Sequence, residues 1–128
     1  MIEPRPGSLA EVARRAAAGG SFEFELADFL HEFAFRGEES MLTVPPILLK
    51  DDASMGAIQD AYLAAVAASL AVRLGHPAPP WTRHPERILP LPWFASPGRH
   101  MRALLLVESP AAFRERNLFV TANALSVA

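Results

Sequence analysis

From Met55 to Leu74 the chain runs twenty residues without proline, and its large apolar side chains recur at every fourth position: Ile58, Tyr62, Val66, Leu70 and Leu74. That recurrence sets them along one side of an α-helix, and Leu63 widens the stripe. Ala61, Ala64, Ala65, Ala67, Ala68 and Ala71 add helix propensity while keeping the remaining surface thin, so another backbone can approach closely. Such a helix has to be surrounded. It is the expected centre of the fold, and Gly75 marks its end.

The chain after this helix is written differently. Eight of the twelve prolines lie between Pro77 and Pro110. Pro77, Pro79 and Pro80 predict an extended turn into Trp81, and Pro90 and Pro92 frame a second break before Trp93 and Phe94. Pro85–Leu89 has room for a single helical turn. A longer helix is predicted from about Arg99, presenting Met101, Leu104 and Leu105. Ser109 followed by Pro110 reads as a cap and first position of a short helix, Ala111–Arg116. Asn117 suits a left-handed exit, and Thr121 a final turn through Ala122–Leu125.

Before the central helix, Met1–Gly7 reads as an irregular entry. Ser8 and Glu11 have capping-box spacing for a first helix with Leu9, Val12, Ala13 and Ala16 on its apolar side, stopped by Gly19 and Gly20. A second helix follows Ser21, with Phe22, Leu26, Phe29, Leu30 and Phe33 on one face and Gly37 at its end. Phe24 and Phe35 do not fit that stripe, which implies either burial on more than one side or a second apolar surface for a partner. Glu38–Asp52 is a connection, broken by Pro45 and Pro46, in which Ile47, Leu48 and Leu49 form an extended strap. These patterns predict one domain over residues 1–128: an all-α, small irregular or orthogonal bundle of four substantial helices with a proline-rich aromatic connection. Phe29, Leu30 and Phe33 are expected to pack on the central helix from one side, and Leu104, Leu105 and Phe113 from another.

The chemical inventory points away from an enzyme. There is no cysteine, hence no disulfide framework, thiol chemistry or thiolate metal site. His31, His76, His84 and His100 show no metal-ligand spacing, and no nucleophile elbow, P-loop or dinucleotide fingerprint occurs. No catalytic, cofactor-binding or metal residue is assigned. His84, His100, Glu86, Glu108 and Ser109 are the cluster to inspect for catalysis. Glu25, Asp28 and Glu32 share a helical surface that reads as solvated charge before it reads as a metal site. No segment is long and apolar enough to span a bilayer, and with no signal-like start a cytoplasmic protein is expected.

Charge is unevenly divided. Residues 1–72 hold eleven acidic and five basic side chains, while residues 73–128 hold three acidic and seven basic. This polarity suits association with a second copy or with another charged protein, and equally suits complementarity within one domain. Trp81, Trp93 and Phe94 with Arg99, Arg102, Arg114 and Arg116 are the candidate interaction residues. Trp81, Trp93 and Phe94, together with Phe113 and Phe119, serve either as core anchors or as partner anchors. The arginines, expected on the exposed sides of two neighbouring helices, would meet carboxylates or DNA phosphates.

Within Trp81–Ala128, the segments Pro80-Trp81, Pro92-Trp93-Phe94, Arg102-Ala103-Leu104, Ser109–Arg114, Asn117–Val120 and Asn123-Ala124-Leu125 resemble a family of small uncharacterised bacterial proteins. A weaker likeness extends through Asp60–Leu74. Members of that family are often encoded beside a nucleotidyltransferase-like protein, in pairs that look like toxin–antitoxin modules. The resemblance implies a non-catalytic, antitoxin-like partner and carries over no functional residues. The expectation is a non-enzymatic protein-interaction module, with a DNA-binding regulator using the basic C-terminal surface, or a purely structural domain, as alternatives.

Overall fold

The computed structural model describes residues 4–96 and 98–126. Among them the chain forms helices α1 (Leu9–Ala17), α2 (Phe22–Arg36), α3 (Ser40–Thr43), α4 (Gly56–Arg73), α5 (Arg99–Glu108) and α6 (Ala111–Arg114). Two 3₁₀ turns, Pro80–Arg83 and Pro85–Arg87, and two short strands, β1 (Trp93–Phe94) and β2 (Leu118–Phe119), complete the described elements. The fold is small, irregular and mostly α. Its four substantial helices stand where periodicity and caps predict them. Of the irregular entry expected over residues 1–7, positions 1–3 lie outside the described residues.

Ser8 caps α1 by accepting the Glu11 N–H at 3.1 Å, and the Glu11 carboxylate accepts from the Gly7 N–H at 3.3 Å, a capping box displaced by one residue. Arg15 then bridges Glu11 at 3.1 Å and Glu25 at 3.3 Å, tying α1 to α2. Ser21 caps α2, which ends at Gly37 in the left-handed conformation. The predicted stripe of Phe22, Leu26, Phe29, Leu30 and Phe33 is buried. The connection beyond it holds one unanticipated turn of helix, α3, which buries Met41 and Leu42 before Pro45 and Pro46 impose an extended path.

α4 is buried around most of its circumference and forms the centre of a core running from Leu9 to Leu125. Its first turn is fitted to the strap. A Cβ on Gly56 would collide with the Leu49 carbonyl, so glycine lets the two backbones touch. One turn later the Asp60 carboxylate accepts the N–H groups of Leu49 at 2.7 Å and Lys50 at 3.1 Å. The strap thus finds side-chain partners for backbone groups that no ladder satisfies.

The 3₁₀ turns and α6 pack on α4, with Phe113 fully buried. α5 does not take the place expected for it. Leu105 is buried outside the core that α4 organises, and Leu104 is turned outward. The prolines fold the connection back over α4 before the chain reaches α5, leaving that helix at the periphery. α5 and α6 form the crossover between β1 and β2, which pair in parallel as Trp93 with Leu118 and Phe94 with Phe119. Ser109 also departs from expectation: Pro110 occupies the cap position of α6. The Ser109 hydroxyl accepts the Val120 N–H at 2.8 Å and has the Leu105 and Val120 carbonyls, at 2.6 and 2.9 Å, as acceptors for its single proton, stapling the end of α5 to the chain after β2. Asn117 has the predicted positive φ of 62°, and its side-chain amide donates to the Leu89 carbonyl at 2.6 Å. Among the described residues no helix is long and apolar enough to cross a membrane.

Candidate functional site

The buried polar side chains of the proline-rich half, Thr82, Arg87, Ser109 and Arg116, all hold backbone. Arg87, buried, donates to the carbonyls of Pro46 at 2.5 Å and Asp60 at 3.3 Å, and its guanidinium lies 4.9 Å from the Trp81 ring centre. Trp81 donates its indole N–H to the Leu42 carbonyl at 2.9 Å. Arg116 was expected on the surface with the other C-terminal arginines. It is instead 5% exposed, donating to the carbonyls of Ala112 at 2.8 Å and Thr82 at 2.9 Å. Irregular backbone inside a small core leaves carbonyls without partners, and an arginine fork supplies several donors at once. Trp81 and Arg116 are therefore fasteners of the connection. Burial lowers the pKa of both Arg87 and Arg116, from a value high enough that they stay charged.

The cluster around Ser109 does not form a catalytic constellation. Ser109 is buried with its hydroxyl engaged by backbone, while His84 and His100 are exposed. His84 Nδ1 accepts the Glu86 N–H, and Glu86 pairs with Lys50 at 3.1 Å. In the acidic trio on α2, Glu25 faces Arg15 and Glu32 lies 3.7 Å from Arg36. No group of three or more potential metal ligands converges among the described residues.

The feature with the geometry of a binding site is a groove of about 450 Å³ between α2, α4 and the β1–β2 end of the chain. Phe22, Leu26 and Leu30 form one wall, Ile58 and Tyr62 the floor side, and Trp93 and Val120 the far edge. Polar groups are sparse: Glu23 and His31 from α2, Gln59 from α4, and Thr121 and Ser126 after β2. Among the described residues no lysine or arginine lines it. A largely apolar concavity with a few polar groups is the usual form of a binding site.

Tyr62 sits between Phe22 and Phe113, edge-on to both, with ring centres 6.3 and 5.0 Å away. Its hydroxyl has no hydrogen-bond partner among the described residues, and burial pushes its pKa above the ordinary tyrosine value. The lip of the groove on α2 carries Ala27 and His31. Beyond that lip, Phe24 and Phe35 project outward, 76% and 88% exposed. Positions 24, 31 and 35 lie nearly in line on a helix of 3.6 residues per turn, so the misfit of these rings to the buried stripe reflects a second, outward-facing line.

Of the seven interaction residues inferred from sequence, Trp93 lines the groove and Phe94 lies next to it, stacked on Phe119 at 4.9 Å. The Arg102 guanidinium lies 5.3 Å from the Phe94 ring centre. Arg99, Arg102 and Arg114 are exposed. Glu23, Ala27 and Gln59 were not singled out from sequence, and Thr121 only as the start of a final turn. They converge only through tertiary structure, and no spacing announces them. Comparison with protein-family models, with curated proteins and with solved structures finds no match to this chain.

Proposed function

We propose that this chain is a cytoplasmic, non-enzymatic protein-interaction module whose receptor surface is the groove between α2 and α4, extended across the α2 lip by Phe24 and Phe35. The observation that carries the reading is the apolar groove bordered by two phenylalanines exposed on one helix, an arrangement that keeps large apolar area in water until a partner covers it. The family resemblance of the C-terminal half adds a partner, a nucleotidyltransferase-like protein, for which this chain acts as an antitoxin-like regulator. DNA contact is less well supported, because Arg116 is turned inward and only Arg99, Arg102 and Arg114 remain on the basic surface.

Co-purification with the nucleotidyltransferase-like protein, followed by its transferase assay with and without this chain, tests the proposal. Phe24→Ala, Phe35→Ala and Ala27→Glu alter exposed positions, and each is expected to weaken capture by about tenfold or more while leaving helicity unchanged. No complex and an unchanged transferase activity would remove that partner. Capture indifferent to all three substitutions would remove the groove.

A further inference from the structure

We infer that the groove accepts α5 of a second copy, in a two-fold dimer where each chain gives its α5 and receives that of its partner; the inference rests on the reading of the groove as a protein-docking surface. α5 lacks a full partner within its own chain. Leu105 is its one buried residue, whereas Leu104 and Leu106 are about half exposed and Val107 is 80% exposed. A ten-residue helix with apolar side chains around so much of its circumference is poorly covered for water.

Charge selects the occupant. Arg99 and Arg102 on α5 have no carboxylate partner among the described residues. Among the described residues the groove has no lysine or arginine on its walls and carries one carboxylate, Glu23. The first turn of α5, with Arg99 and Arg102, is basic, and the helix's one carboxylate, Glu108, stands at its far end. That basic end complements the Glu23 edge of the apolar groove, and both belong to this chain.

Placement supplies the symmetry. Ser109, at the end of α5, binds Val120, which lines the groove; Arg102 of α5 lies over Phe94, next to the groove residue Trp93. α5 and the groove therefore flank the same two-stranded ladder. One end of the patch is concave and acidic, the other convex and basic. A two-fold axis through such a patch sets each end on its complement and closes the assembly at two chains. The Ser109 staple keeps α5 from turning into its own groove. A protein that binds the groove must then displace α5, so self-association and partner capture compete.

Sedimentation velocity on the purified full chain over a concentration series reads the dimer directly. The wild-type chain should dimerise, with an affinity that falls as salt rises. Val107→Glu on α5 and Ala27→Glu on the groove lip should each weaken self-association by about tenfold or more with unchanged circular dichroism. Mixing the two variants is the decisive arm. The mixed dimer keeps one undamaged contact, the α5 of the Ala27→Glu chain in the groove of the Val107→Glu chain, so the pair should associate where neither does alone. A wild-type chain that stays monomeric, a dimer that survives both substitutions, or a mixture that fails to associate would each overturn the inference. A monomer that nevertheless loses capture of the nucleotidyltransferase-like protein on Ala27→Glu would overturn the dimer and leave the docking function of the groove intact.

Discussion

Asp60 and Arg87 govern how the irregular half of the chain is held. Asp60 is the only charged residue between Met55 and Val72, and it is fully buried. Burial is the largest influence on its carboxyl and raises the pKa above the usual aspartate value; the Leu49 and Lys50 N–H groups and the Arg87 guanidinium, 3.8 Å away, offset part of that rise. A raised folded-state pKa means that the stabilising contribution is fully present below the unfolded value, about 3.9, and is lost as pH climbs through the folded value. Removing Arg87 takes away a cation that supports the ionised form, along with donors to the Pro46 and Asp60 carbonyls. Arg87→Ala is therefore expected to cost about 3–5 kcal/mol at neutral pH, measured by denaturant unfolding. The cost should shrink as pH falls toward the aspartate range, because a protonated Asp60 no longer needs the cation. An equal cost at both pH values would show that Arg87 acts through its carbonyl contacts alone. The pairing was not legible in the sequence, since 27 positions separate the two residues. Its one visible trace was a lone carboxylate in a helix whose only other charge is Arg73 at its end.

At the scale of elements, α4 and α5 carry similar apolar residues and hold opposite positions in the fold. Leu70, on α4, is buried on all sides, so Leu70→Ala removes transfer energy and leaves a cavity, for an expected loss of roughly 2–5 kcal/mol. Val107→Ala on α5, measured in dilute solution where the chain is monomeric, should change stability by less than about 0.5 kcal/mol. Chemical denaturation of both variants at one low concentration checks the contrast; comparable losses would mean that α5 belongs to the core. The four-residue recurrence from Ile58 to Leu74 and the stripe from Phe22 to Phe33 made α4 and α2 readable, because periodicity reports that a helix has an apolar side. It does not report what covers that side. For that reason Leu104 was expected inward, and the two-residue strands, which are too short to show a period, went unseen. Ser109 illustrates the same limit. Its place before Pro110 fits a cap, but the nearby Val120 backbone, brought in by the crossover, offers a buried hydroxyl both a donor and an acceptor.

For the whole molecule, the groove has its own reporter. The chain contains one tyrosine, Tyr62, and it stands in the groove between Phe22 and Phe113. Phenolate absorbance on alkaline titration therefore reads this one position. With burial as the stated cause of the raised pKa, the folded chain should titrate above the ordinary tyrosine value of about 10, and the same chain in concentrated denaturant should return to it. The sign for stability follows: the protonated phenol contributes fully below the unfolded value, and that contribution declines as pH rises through the folded one. The groove itself was only partly legible beforehand. Phe24 and Phe35 signalled a second surface through their misfit, and Trp93 was singled out as an anchor, but the concavity needs α2, α4 and Val120 together, and no local pattern encodes that meeting. Anything seated in the groove displaces water from around Tyr62 and makes the phenolate harder to form. The native midpoint should consequently rise with protein concentration as α5 of a second chain enters, and Val107→Glu should abolish that dependence while leaving the dilute-solution midpoint unchanged. A midpoint at the ordinary tyrosine value in the folded chain would mean that the groove is fully hydrated at its floor. A raised midpoint independent of concentration would keep the groove apolar but empty of α5.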